Sequence, residues 1–67
     1  MLFYILNKNK TIKELRKAAS LTLKELADLS GVKVSVLREY EPVQYKDVPK
    51  GIQGLLKDVL NEYIGVI

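Results

Sequence analysis

Five residues between positions 33 and 39 carry side chains suited to reading a polar groove: Lys33, Val34, Ser35, Arg38 and Glu39. Arg38 offers a planar fork of N–H donors that matches the O6 and N7 acceptors of guanine. Glu39 can accept from a cytosine amino group, and Val34 can touch a thymine methyl. Lys33, with Lys24 upstream, supplies a point charge of the kind that meets phosphates. On a helix, Arg38 lies one turn beyond Val34 and Ser35, on the face left exposed when Leu37 and Tyr40 turn inward. The chemistry open to this set is non-covalent recognition of base edges and phosphates. The plainer alternative is a surface arginine paired in solvent with Glu41 or Glu39, a contact worth little.

Such a face needs a rigid support, and the stretch LTLKELADLSGVKVSVLREYE, Leu21 to Glu41, has the pattern of one. It reads as two short helices joined by a tight turn, with a core at residues 22–41. Ala27 is small enough to let the second helix approach the first. Gly31, four residues on, suits a left-handed helix end. Leu26, Val32, Leu37 and Tyr40 supply apolar contacts on both sides of the turn. Thr11-Ile-Lys-Glu14 and Thr22-Leu-Lys-Glu25 are both capping boxes, which predict helices over about 11–19 and from 22 to about 30, linked at Ser20-Leu21. The reading helix spans about 33–41, with Lys33 in the cap position where Ser or Thr is preferred, and Pro42 stops it. Residues 43–50 show no periodicity and read as a loop. Ile52, Leu55, Leu56, Val59, Leu60, Tyr63 and Ile64 then form an amphipathic stripe with Gly65 as its terminator. Gly51 and Gly54 leave open a short helix or a kink before Leu55. Met1 to Leu6 is apolar and β-favouring, and reads as a short strand or an arm, or simply as a cover for one end of the core.

At 67 residues the chain is expected to form a single domain, 1–67, with one small core. Dimerisation would relieve its marginal stability, and the apolar segments at Met1–Leu6 and Ile52–Ile64 are the expected contacts. The chain has no cysteine and no histidine, which removes disulfides, thiolate chemistry, and the commonest general base and metal ligand. It also lacks a phosphate-binding glycine loop or a nucleophile beside a base, so no enzyme activity, cofactor or metal is expected. No apolar run is long enough to span a bilayer, and the N-terminal segment has neither the basic start nor the cleavage site of a signal peptide. The expected location is cytoplasmic, with nucleoid association when bound to DNA. Residues 1–33 carry seven Lys or Arg against three acids, and residues 34–67 carry four against five, so the balance shifts from +4 to −1. That concentration fits a phosphate-facing surface and fits a solvated lysine-rich one equally well.

The segment TIKELRKAASLTLKELADLSGVKVSVLREYE resembles the Xre/Cro type of phage-repressor-like DNA-binding domain. The likeness covers about half the chain well, and the terminal stripe more loosely. It implies an all-α bundle of four or five helices and a repressor-like regulator of double-stranded DNA, of phage, plasmid or other mobile-element origin. It also implies a steric mechanism, in which a bound homodimer blocks polymerase. Carried over by position, Lys33, Val34, Ser35, Arg38 and Glu39 face bases or adjacent phosphates. Two positions depart from the pattern: Leu23 stands where the family often has a phosphate-gripping Gln, and Val34 and Val36 are apolar where polar residues are usual. The segment ELADLSGVKVSVLREYE also resembles the start of the MerR type, through Arg38, Tyr40 and Glu41. That family follows with an Arg-rich wing, which EPVQYKDVPKG matches poorly, and it has no counterpart for the capped helix at 11–19. A reading from another class is a protein-interaction module or antirepressor that uses Val34 and Val36 to hold a partner regulator.

Overall fold

The computed structural model describes residues 2–64, which form five α-helices and one 3-10 turn. They are α1 (Leu2–Asn7), α2 (Ile12–Ala18), α3 (Leu23–Ser30), α4 (Val34–Tyr40) and α5 (Lys50–Ile64), with the 3-10 turn Tyr45–Asp47 between the last two. The fold is all-α among the described residues, as the Xre/Cro resemblance implies.

Local chemistry sets the ends of the middle helices. At α2 the Glu14 amide donates to the Thr11 hydroxyl at 3.1 Å and the Thr11 amide donates to the Glu14 carboxylate at 2.8 Å. At α3 the Glu25 amide donates to Thr22 at 3.1 Å and the Thr22 amide to Glu25 at 2.8 Å. Both boxes satisfy amides that a helix start leaves without partners. Gly31 ends α3 at φ +81°, its amide donating to the Ala27 carbonyl at 2.9 Å. Ser20, in the short link after α2, also takes a left-handed backbone at φ 59°, a conformation that costs a non-glycine residue some strain.

The next two amides at the start of α2 find partners far along the chain. Ile12 donates to the Val43 carbonyl at 3.1 Å and Lys13 to the Glu41 carbonyl at 3.0 Å. An antiparallel bridge between Thr11 and Gln44 follows, and the Tyr45 amide donates to the Lys10 carbonyl at 2.9 Å. The segment after α4 is thereby held against the segment before α2. This is no exposed loop: Tyr45 is 2% exposed and joins the core with Val48. The Tyr45 hydroxyl donates to the Gln53 carbonyl at 2.9 Å, and the Gln53 amide returns hydrogen bonds to the carbonyls of Tyr45 and Val48 at 2.9 and 2.8 Å.

Three expectations are corrected here. The N-terminal segment is a helix, not a strand or an extended arm, over Leu2–Asn7. A strand needs a partner edge and this fold provides none, whereas a helix pairs its own backbone and needs only one buried face. Phe3 and Asn7, one turn apart, form that face. Phe3 meets Tyr45 edge-on with ring centroids 5.4 Å apart, and the Asn7 side-chain amide donates to the Phe3 carbonyl at 2.9 Å. Second, α5 runs unbroken from Lys50, so Gly51 and Gly54 lie inside it rather than before it. Third, residues 42–49 contain the 3-10 turn and no two-stranded wing, which removes the MerR-type reading. The expected terminator Gly65, like Met1, lies outside the described residues.

The core joins every α-helix. Ile12, Leu15, Leu26, Leu37, Leu56 and Leu60 are fully buried, with Ala19, Leu21, Val32, Tyr45 and Val48 around them. Along the α5 stripe, Leu56 and Leu60 point into this core, Ile52, Val59 and Ile64 lie at its margin, and Leu55 and Tyr63 stay about half exposed.

The Tyr45 phenol is raised above its ordinary value of 10.0, first by burial and then by the nearby Asp58 carboxylate and Tyr4. Its phenolate is disfavoured in the fold, so the unfolded chain ionises first as pH rises. The stability the neutral phenol contributes is intact below pH 10.0 and is lost on going upward through the raised value. Tyr45→Phe should cost about 1 kcal/mol near neutrality through the lost hydrogen bond. It should also make alkaline unfolding less steep than in the parent, as read by circular dichroism across a pH series.

Candidate nucleic-acid interface

The site is built on α3, the turn at Gly31 and α4. Inside the motif, Leu26 and Leu37 are fully buried, Ala27 and Val32 are nearly so, and Tyr40 is half-buried against the core. The Ala27 carbonyl accepts from the Gly31 amide at the end of α3, and its small side chain is buried in the core. The Ser30 hydroxyl accepts from the Val32 amide at 3.2 Å, which tightens the turn beside Gly31. Lys33 opens α4 in an extended conformation and makes no side-chain cap. With Leu37 and Tyr40 turned inward, Lys33, Ser35, Arg38 and Glu39 are exposed on the other side of the helix.

Val34 is half-buried, and so is Val36; both rest against the rim of the core. Val34 therefore contributes only part of its surface to the outer face. Leu23, at the start of α3, likewise packs on the core margin. Lys24, one position on, is exposed and 3.2 Å from Asp28, four residues later. Such a solvent-exposed pair is weak.

Arg16 is the residue that sequence reasoning missed. Its Nε donates to Glu41 at 2.8 Å and its Nη2 to the other carboxylate oxygen at 3.3 Å, while Nη1 donates to the Leu21 carbonyl at 2.9 Å. One guanidinium thus ties the end of α2, the α2–α3 link and the end of α4 together. Both side chains are about 15% exposed, so the pair is largely withdrawn from water. The consequence reaches the outer face of α4. Glu41, one of the two acids placed to neutralise Arg38, is already engaged, and Arg38 makes no ion pair among the described residues. No local pattern announces a partner 25 residues away. The only hint is a charged residue on the inner side of a short amphipathic helix.

The helix-turn-helix family model matches residues 12–41, from the first residue of α2 to the Glu41 that Arg16 holds. The match supports a helix-turn-helix of the Xre/Cro type over this segment, a family of DNA-binding regulator domains. No curated protein and no solved structure matches the chain at a significant level. Among the described residues no helix is long and apolar enough to cross a membrane.

Arg16→Met leaves the Glu41 carboxylate largely buried and unpaired, and should cost about 3 kcal/mol in urea unfolding. Glu41→Gln should cost less, because the amide can still accept from the guanidinium. In the double variant the two costs should fall well short of adding, since the partners act as a unit.

Proposed function

We propose that this chain is a sequence-specific, repressor-like regulator of transcription in which residues 1–67 act as one DNA-binding unit. In this reading α4 enters the major groove of double-stranded DNA. Arg38 is the principal base reader, with Val34, Ser35 and Glu39 beside it, while Lys33 and Lys24 meet phosphates. The observation that carries the reading is the state of α4: its inner side is locked by Leu37 and by the Arg16–Glu41 pair, and its outer side leaves Arg38 exposed without an ion pair among the described residues. The Xre/Cro character of the segment supports a cytoplasmic protein of phage, plasmid or other mobile-element origin, bound to the nucleoid when engaged. The antirepressor alternative relied on Val34 and Val36 as a free apolar face. Both valines lean on the core, which favours DNA over a protein partner at this helix.

A symmetric homodimer completes the proposal. Leu2, Ile5 and Leu6 on α1 and Leu55 and Tyr63 on α5 keep roughly half of their surface exposed, which supports contacts between copies on elements outside the reading helix. Two reading helices would then meet successive major grooves about 34 Å apart on a near-palindromic site. Light scattering should show a dimer at tens of micromolar when a duplex is present; a monomer under those conditions contradicts the arrangement.

Arg38→Ala should leave the melting temperature nearly unchanged, since the side chain makes no hydrogen bond or ion pair among the described residues. It should flatten the preference for the cognate site by about 1–3 kcal/mol. Lys33→Ala should instead weaken all duplexes alike and lower the salt dependence by about one log-log unit. Binding of the cognate site by Arg38→Ala with the parent's selectivity would remove Arg38 as the reader.

A further inference from the structure

A second candidate site lies away from α4. Between α1, the 3-10 turn and the first half of α5 the surface opens into a groove of about 390 Å³, lined by Tyr4, Tyr45, Lys50, Gln53, Gly54 and Lys57. That volume is within the range of small-ligand pockets, roughly 300–1,000 Å³. Lys50, Gly54 and Lys57 occupy successive turns on one face of α5. At the middle position the helix is bare: a Cβ on Gly54 would meet no atom within 4 Å. Gly54 therefore forms an open floor with an ammonium on either side. The Tyr4 and Tyr45 rings, 6.0 Å apart and inclined at 59°, form the wall.

The polar groups of the lining decide what it selects. The Gln53 side-chain amide is spent on the carbonyls of Tyr45, Lys46 and Val48, and the Tyr45 hydroxyl is donated to the Gln53 carbonyl. The donors that remain are the Lys50 and Lys57 ammonium groups and the Tyr4 hydroxyl, none of which has a hydrogen-bond or ion-pair partner among the described residues. A neutral polar ligand finds little to hold it there, and a cation is repelled. A flat apolar body fits the tyrosine wall and the bare helix, and its negative charge fits the two lysines. Asp58 lies close enough to influence Tyr45, but it does not line the groove. We propose that this groove binds a small aromatic carboxylate, its ring against Tyr4 and Gly54 and its acid group between Lys50 and Lys57. None of the lining residues belongs to α3 or α4, so the site does not depend on the DNA reading.

The test is a titration of isotopically labelled full-length protein with 2-naphthoate, followed by amide chemical shifts in nuclear magnetic resonance. Saturable shifts should appear at Lys50, Gly54, Lys57, Tyr4 and Tyr45, with Ser35 and Arg38 unmoved. The neutral analogue 2-naphthalenemethanol should bind about tenfold more weakly, and so should 2-naphthoate to a Lys50→Ala/Lys57→Ala variant. Gly54→Leu fills the floor at an exposed helical position with space for a side chain, so it should fold and lose the shifts; circular dichroism checks the folding. The proposal is overturned by an absence of saturable shifts below about 10 mM. It is equally overturned by equal binding of the alcohol, or by undiminished binding to folded Gly54→Leu.

Discussion

The arrangement of this small protein depends on one guanidinium. Arg16 reaches from the last turn of α2 to the Glu41 carboxylate and the Leu21 carbonyl, making three hydrogen bonds with a side chain about 15% exposed. Burying two charges is costly, and the pair persists because a two-toothed, charge-assisted contact and a backbone acceptor offset the lost hydration. Hydrophobic contact alone would press α4 against α3 through Leu26 and Leu37, yet apolar packing tolerates small slides and rotations. A fork gripping a carboxylate does not, because its donors lie in one plane. Together with the amides of Ile12 and Lys13, which donate to carbonyls just beyond α4, it holds the start of α2 in register with the end of α4.

Under the proposed function, the same contact links stability to recognition. A helix that is to read base edges must present charged side chains that the protein itself leaves unpaired. Arg38 has Glu39 and Glu41 as neighbours in sequence, and either one could neutralise it. Turning Glu41 inward to Arg16 takes away one of the two, while the spacing of Leu37 and Tyr40 points Arg38 outward. The part of the chain that withdraws charge from the surface thus makes charge available at the outer face.

What was legible in the sequence was what short-range chemistry decides. The two capping boxes, the left-handed Gly31, the end of α4 before Pro42 and the Leu56–Leu60 centre of the α5 stripe each depend on residues within a turn or two, and each is present. The features that were not legible depend on partners far along the chain. The β-favouring residues of α1 become helical because Phe3 has Tyr45 to pack against and a strand would have no edge to join. Tyr45 and Val48 looked like loop residues because a single 3-10 turn has no periodicity to reveal a buried side. At the interface, the outer positions of α4 followed from the inner ones, whereas the half-burial of Val34 and the engagement of Glu41 required the tertiary contacts.

The central claim is that the outer face of α4, freed by the Arg16 lock, is the surface that meets a duplex. Its most direct test is a residue-by-residue footprint: amide shifts and exchange protection of the labelled chain on adding mixed-sequence duplex DNA at low salt. The account predicts that the perturbed residues cluster at 33–39 and at the first turn of α3, that α1 and the Lys50–Lys57 face stay unmoved apart from any dimer contacts, and that the effect fades as salt is raised. A footprint centred on α1 and the first half of α5, with 33–39 undisturbed, would contradict it, as would the absence of any perturbation at low salt.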